Sequence, residues 1–179
     1  SEMCIRDRVN GAGGIKSLGG AKLELVVGDN ESKPEVGMSE TERLIKEGVS
    51  ALIEGGVSSI GFAVTQVAEK HKTPMLVPLS VADAITERGF KYIFRLDFKA
   101  SWTARDTLRC VKWLGESSGK MAKTLGLLTE DTMWGQSTAK AWKSLAPKYG
   151  FKVAGHFPYS KKVQDISPTI SKLKAARPD

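Results

Sequence analysis

The sequence predicts an α/β fold in which parallel strands are flanked by helices, and three observations lead there. Short apolar runs alternate with segments of helical spacing along most of the 179 residues, the pattern of repeated βαβ units. The clearest unit lies in residues 51–96, where an apolar run breaks at Gly55-Gly56 and passes Val57-Ser58-Ser59 into a helical pattern. Thr73-Pro74 closes that pattern ahead of a buried strand at 75–78. After a further strand at 90–96 the alternation starts again.

Taken in order, residues 1–8, SEMCIRDR, show no apolar period and do not join naturally to the segment beginning at Val9, so they read as a non-native adapter. Glycines at 11, 13, 14, 19 and 20 then mark a helix end and turn. They do not form a dinucleotide fingerprint, because no strand precedes them and the third glycine is out of place. Residues 21–27 alternate into an apolar run and read as a strand ended by Gly28-Asp29-Asn30. Residues 33–48 have helical spacing, with Pro34 near the start, where a missing N–H costs nothing. Residues 49–53 are the next short strand, followed by a helix reaching about Lys72.

Beyond the strand at 90–96, the pattern predicts a helix over 101–115, a strand over 124–128 and a helix over 135–149 stopped by Gly150. A strand over 151–157 and a helix over 166–176 complete the chain. In open parallel sheets ligands sit beyond the carboxyl ends of the strands. That rim carries Ser58, Ser59 and Ser80. The 56–59 turn at a helix start is a place to hold an anion: Ser58 or Ser59 can cap the helix, and first-turn N–H groups stand at the positive end of its dipole. Trp134 follows a strand end and is flanked by Thr132 and Gly135, so it is either a core residue or a lid on a ligand. Asp131 reads as a helix cap or turn residue, whereas Trp102, Trp113 and Trp142 lie inside helices and read as packing.

Composition excludes several functions. Lys and Arg outnumber Asp and Glu, 27 against 20, but they are scattered with no block or aromatic-interleaved stripe, so nucleic acid is not an expected partner. Cys4 and Cys110 form no C-x-x-C pair, and His71 and His156 are far apart, which predicts no metal site and no cofactor. Cys110 reads as a small buried residue. There is no G-x-S-x-G elbow, H-E-x-x-H or phosphate loop, so an α/β enzyme is the lesser alternative. No apolar stretch approaches a membrane span, and no start has the order of a signal peptide; an export signal, if the gene has one, is expected outside this chain.

The order of these features resembles the substrate-binding proteins of ABC importers for branched-chain amino acids, which have the type I periplasmic-binding fold. The matching pieces are the Gly-Gly-Ile at 13–15, the extended run ending at Asp29, the Gly-Val-Ser-Ser turn and the Thr-Pro-Met-Leu-Val-Pro strand. Ile85-Thr86 with Gly89, Tyr92-Ile93-Phe94-Arg95 and the Asp-x-x-aromatic-Gly pattern of Asp131 to Gly135 complete the match. The resemblance implies two Rossmann-like lobes, an N-terminal one over 9–98 and a C-terminal one over 99–179, both incomplete. The first strand, its turn and first helix of the family pattern are not found ahead of residue 13, and its later strands would follow Asp179.

The implied function is a periplasmic, monomeric receptor that closes on a small amino acid and delivers it to a membrane permease. Ser58, Ser59 and Ser80 would take the carboxylate and Trp134 would cover the side chain, with Val57, Val81 and Asp131 as secondary contacts. A ligand-sensing regulatory domain of the same fold is the nearest alternative.

Overall fold

The computed structural model describes residues 2–179. Helix α1 (Glu2–Gly11) leads through a turn into an irregular segment, and α2 (Pro34–Lys46) precedes a three-stranded parallel sheet. That sheet consists of β1 (Leu52–Ile53), β2 (Met75–Val77) and β3 (Ile93–Arg95) in that spatial order, with α3 (Ser58–Lys70) connecting the first two strands. Helix α4 (Ala100–Ser118) follows, then β4 (Thr124–Glu130), α5 (Met133–Leu145), β5 (Lys152–Tyr159) and α6 (Ser167–Ala175). Strands β4 and β5 pair in parallel as a second sheet, with α5 between them in the chain. Parallel neighbours need such a crossover connection, which a tight turn cannot supply.

The first core gathers Leu52, Met75, Val77 and Ile93 from the sheet with Ile60, Val64 and Ala68 from α3, and Ala82 and Ile85 from the segment after β2. In the second half Leu108, Ala146 and Phe151 pack with Trp142 and Leu145, while Ala100, Ala104 and Ala141 bring α4 and α5 together. The halves touch where Met133 packs on the first core. They also meet where the Ser137 hydroxyl receives the Asp83 N–H and where Asp83 Oδ1 receives the Ser101 N–H.

Several expectations need correction. Residues 21–27 form no strand: apart from an isolated antiparallel bridge between Ala21 and Ile15 they have no regular structure, Val26 and Val27 are exposed, and no strand among the described residues pairs with them. The Asn10 side chain substitutes for one rung of a ladder, accepting from Leu23 N–H and donating to Leu23 C=O at 2.8 Å each. Helix α4 runs past Gly115 and stops at Gly119, which adopts the left-handed conformation suited to a helix end. Cys110 is exposed because its face of α4 is not covered. Trp113 and Trp102 are likewise 62% and 47% exposed, whereas Trp142, with Leu145, packs into both small cores. The 1–8 stretch lies in α1 from residue 2 onward, and Arg6 and Asp7 form an exposed neighbour pair.

Among the described residues, no helix is long and apolar enough to cross a membrane.

Candidate functional site

The tips of β1, β2 and β4 converge on one cleft. Gly56, Val57, Ser58, Ser59, Leu79 and Val81 line one wall, and Glu130, Thr132, Met133, Trp134 and Lys161 the other, around a cavity of about 390 Å³. A space of that size suits a small organic ligand.

On the first wall, β1 leads to Glu54 and the chain turns through Gly56, whose φ of +100° is accessible to glycine and strained for other residues. Helix α3 then starts at Ser58 with Val57 as N-cap in extended geometry. Neither serine caps it, contrary to expectation: both already lie within the first turn, and no side chain accepts a capping hydrogen bond. The N–H groups of Ser58, Ser59 and Ile60 therefore lack an intrahelical acceptor at the positive end of the helix, since the first helical bond runs from Gly61 N–H to Val57 C=O at 2.8 Å. Ser59 is exposed to the cleft, while Ser58 lines it but is 6% exposed.

Ser80 is placed differently. It is 1% exposed and its hydroxyl donates to Glu54 Oε1 at 2.9 Å, beneath the cleft surface rather than on its rim. The same Oε1 accepts the Gly56 N–H at 2.8 Å. Burial pushes the Glu54 carboxyl above its usual range; the hydrogen bonds from Gly56 and Ser80, the nearby Val57 N–H and the charge of Arg95 oppose that shift without cancelling it. Arg95 in turn donates to the Ser80 carbonyl at 2.5 Å and the Ala82 carbonyl at 2.9 Å, fixing the segment after β2 that carries Leu79 and Val81.

On the second wall, Asp131 N–H continues the β4–β5 ladder by donating to Tyr159 C=O at 2.7 Å. Its side chain accepts from Gln136 Nε2 at 2.8 Å and is not part of the cleft lining. The cap of α5 is Thr132, whose hydroxyl accepts the Gly135 N–H at 3.2 Å. Trp134 sits in the first turn of α5 with 47% of its surface exposed.

The structure thus brings Val57, Ser58, Ser59, Val81 and Trp134 to one cavity and leaves Ser80 and Asp131 outside its lining. Leu79, Met133, Glu130 and Lys161 join the lining without having been singled out as ligand contacts, and Glu54 supports it from below. A glutamate at the end of a short apolar run ahead of two glycines was the one available signal for Glu54. Polar α3 donors facing Glu130 and Lys161 across an apolar gap make a cleft that can orient a small molecule by its charged end and bury its apolar part.

A family model described as "Periplasmic binding protein" matches residues 3–179. The leucine-, isoleucine-, valine-, threonine-, and alanine-binding protein of Pseudomonas aeruginosa is 28% identical over 176 residues, covering 95% of this chain and 43% of that protein. An ABC transporter substrate-binding protein from Desulfitobacterium hafniense, solved in complex with Leu, superposes with a TM-score of 0.75 at 23% identity over 94% of this chain and 48% of its own. A solute-binding protein of an ABC transporter from R. palustris, solved in complex with 4-hydroxybenzoate, gives a TM-score of 0.79 at 23% identity over 99% of this chain and 46% of its own. The chain spans less than half the length of each.

Proposed function

This chain belongs to the periplasmic binding protein family, and from that premise we propose that it forms part of an extracytoplasmic solute receptor. The receptor holds a small carboxylate-bearing solute, an amino acid with an apolar side chain, and presents it to an ABC permease. The observation that carries the reading is the uncapped first turn of α3 facing Trp134 across the cleft. Backbone donors at a helix start favour an anion, so the carboxylate docks on Ser58 and Ser59. The apolar end lies against Val57, Leu79, Val81 and the indole, where burial of its surface stabilises the complex. The two ligands named for the solved neighbours, leucine and 4-hydroxybenzoate, both carry a carboxylate on an apolar body. The reaction is binding and release, driven by closure of two walls around the ligand, and no bond in the solute is broken.

Trp134 provides the test. Adding L-leucine to the full-length protein is expected to change tryptophan emission, because an indole that is 47% exposed loses water when the walls close. Trp134→Phe is expected to remove most of that change and to retain measurable binding by calorimetry. An unchanged emission response in Trp134→Phe, or no response in the parent protein at saturating L-leucine, counts against the cleft as the binding site.

A further inference from the structure

Glu54 is an acidic residue built directly beneath a site that takes an anion. It is 4% exposed, and one of its oxygens, Oε1, accepts both the Gly56 N–H and the Ser80 hydroxyl. The other, Oε2, has no hydrogen-bond partner among the described residues. The carboxyl also lies close to the helix that supplies the anion donors. A β-carbon added at Gly61 would lie 3.1 Å from the carboxyl carbon and 3.1 Å from Oε1, so glycine at this position is what lets Glu54 reach so close to the first turn of α3.

We propose that Glu54 is a positioning residue that works in its neutral form, so that uptake of a carboxylate ligand at the 56–59 turn is coupled to protonation of Glu54. The inference rests on the binding function proposed for this cleft. As a neutral acid, Glu54 holds Gly56 and Ser80 through Oε1 and carries its proton on Oε2, because both lone pairs of Oε1 are engaged. The positive end of α3 is then left to the ligand. Ionised, the same group places a negative charge next to those donors and repels the incoming carboxylate through a medium that screens poorly. A buried carboxylate oxygen without a partner is also costly in the charged form, which favours the acid.

The charged groups around Glu54 are few. Its own strand and α3 bring none into contact, since the first turn of α3 contains no acidic residue and its basic residue, Lys70, lies at the far end. From β3, Arg95 acts on Glu54 and favours the charged form, and Asp83, Glu87 and Asp97 in turn act on Arg95. Across the cleft stand Glu130 and Lys161, of opposite sign. Burial dominates this balance and raises the carboxyl above the usual range, so affinity is complete at acid pH and declines as pH rises through the titration of Glu54. By reciprocity, ligand binding raises the proton affinity of Glu54 and, in the pH range of its titration, draws a fraction of a proton from solvent, which returns on release.

The experiment is calorimetric titration of the full-length protein with L-leucine and with 4-hydroxybenzoate across about pH 5 to 8.5, in pairs of buffers of different ionisation enthalpy. Wild type is expected to lose about 5- to 20-fold in affinity toward the alkaline end, the lower part of the range for coupled sites, and to show buffer-dependent heats that report proton uptake. Glu54→Gln keeps an acceptor for Gly56 and Ser80 but has no proton to exchange, so it is expected to bind with pH-independent affinity and buffer-independent heats. A residue that only braces the turn would change stability on substitution without altering proton uptake. Wild-type binding that is flat with pH and free of proton uptake overturns the inference and leaves the binding function standing. Proton uptake that persists in Glu54→Gln overturns it as well. Failure of both probes to bind at any pH overturns the binding function, and the inference with it.

Discussion

Gly135→Ala is expected to disrupt the second wall of the cleft and to abolish the emission response to L-leucine. Gly135 is buried in the first turn of α5, and a β-carbon there would overlap the carbonyl oxygen of Glu130 and lie 2.9 Å from its carbonyl carbon. These are backbone atoms at the end of β4, so no rotamer change relieves the clash. The strand tip must move away from β5, or the helix start must move away from Thr132, whose hydroxyl now receives the Gly135 N–H. Either shift displaces Trp134 and Glu130 together. Overpacking of this kind costs about 3 kcal/mol when backbone must yield, so thermal melting of the full-length protein should drop by several degrees. An alanine variant with parental melting and parental emission would show that β4 and α5 do not approach each other this closely.

Arg88→Ala is expected to be the most destabilising change in the first half of the chain. The guanidinium lies between two rings, 4.0 Å from the Phe62 centroid and 4.2 Å from that of Phe90. It donates to the Phe62 carbonyl at 3.0 Å, to the Thr65 hydroxyl, and to the Ile85 carbonyl at 3.3 Å. Arg88 therefore ties α3 to the segment after β2 and to the approach to β3. Truncation loses two cation–π contacts and leaves the buried Thr65 hydroxyl with one fewer partner; together these amount to about 3 kcal/mol. Arg88→Lys keeps the charge but loses the flat fork that stacks and donates at once, so its stability should fall between those of the parent and Arg88→Ala. Urea unfolding followed by circular dichroism measures the order. Equal midpoints for Arg88→Ala and the parent would remove this residue from the stability of the lobe.

Both predictions concern contacts that join elements, and such contacts were the least legible in the sequence. The alternation of strands and helices was readable because Thr73-Pro74 and Gly150 punctuate it and because Met75–Val77 and Thr124–Glu130 are compact apolar runs. The run at 21–27 has the same local signature, yet a strand also needs a neighbour to pair with, and alternation carries no information about that. Helical spacing likewise led to reading Cys110 as buried and Trp113 as packing, yet both are exposed, because spacing does not say what covers a helix face.

At the candidate site, Gly-Gly-Val-Ser-Ser announced a turn into a helix, and that turn does line the cleft. The role of each hydroxyl was harder to read. Ser58 and Ser59 fall one and two residues inside the helix instead of at its cap, because Val57 takes the extended geometry there. Ser80 points into the protein because Glu54 is underneath it. A buried glutamate is rare enough that a sequence reading assigns it to solvent by default; only its two donors and its burial reveal it.

The most direct test of the cleft as a carboxylate site is a crystal structure of the full-length protein with L-leucine bound. The expected result places the ligand carboxylate within hydrogen-bonding distance of the Ser58 and Ser59 amides, with the Trp134 indole against the aliphatic side chain. A ligand seated away from the 56–59 turn, for example in the neighbouring groove of Asp83, Gln136 and Lys140, would contradict it.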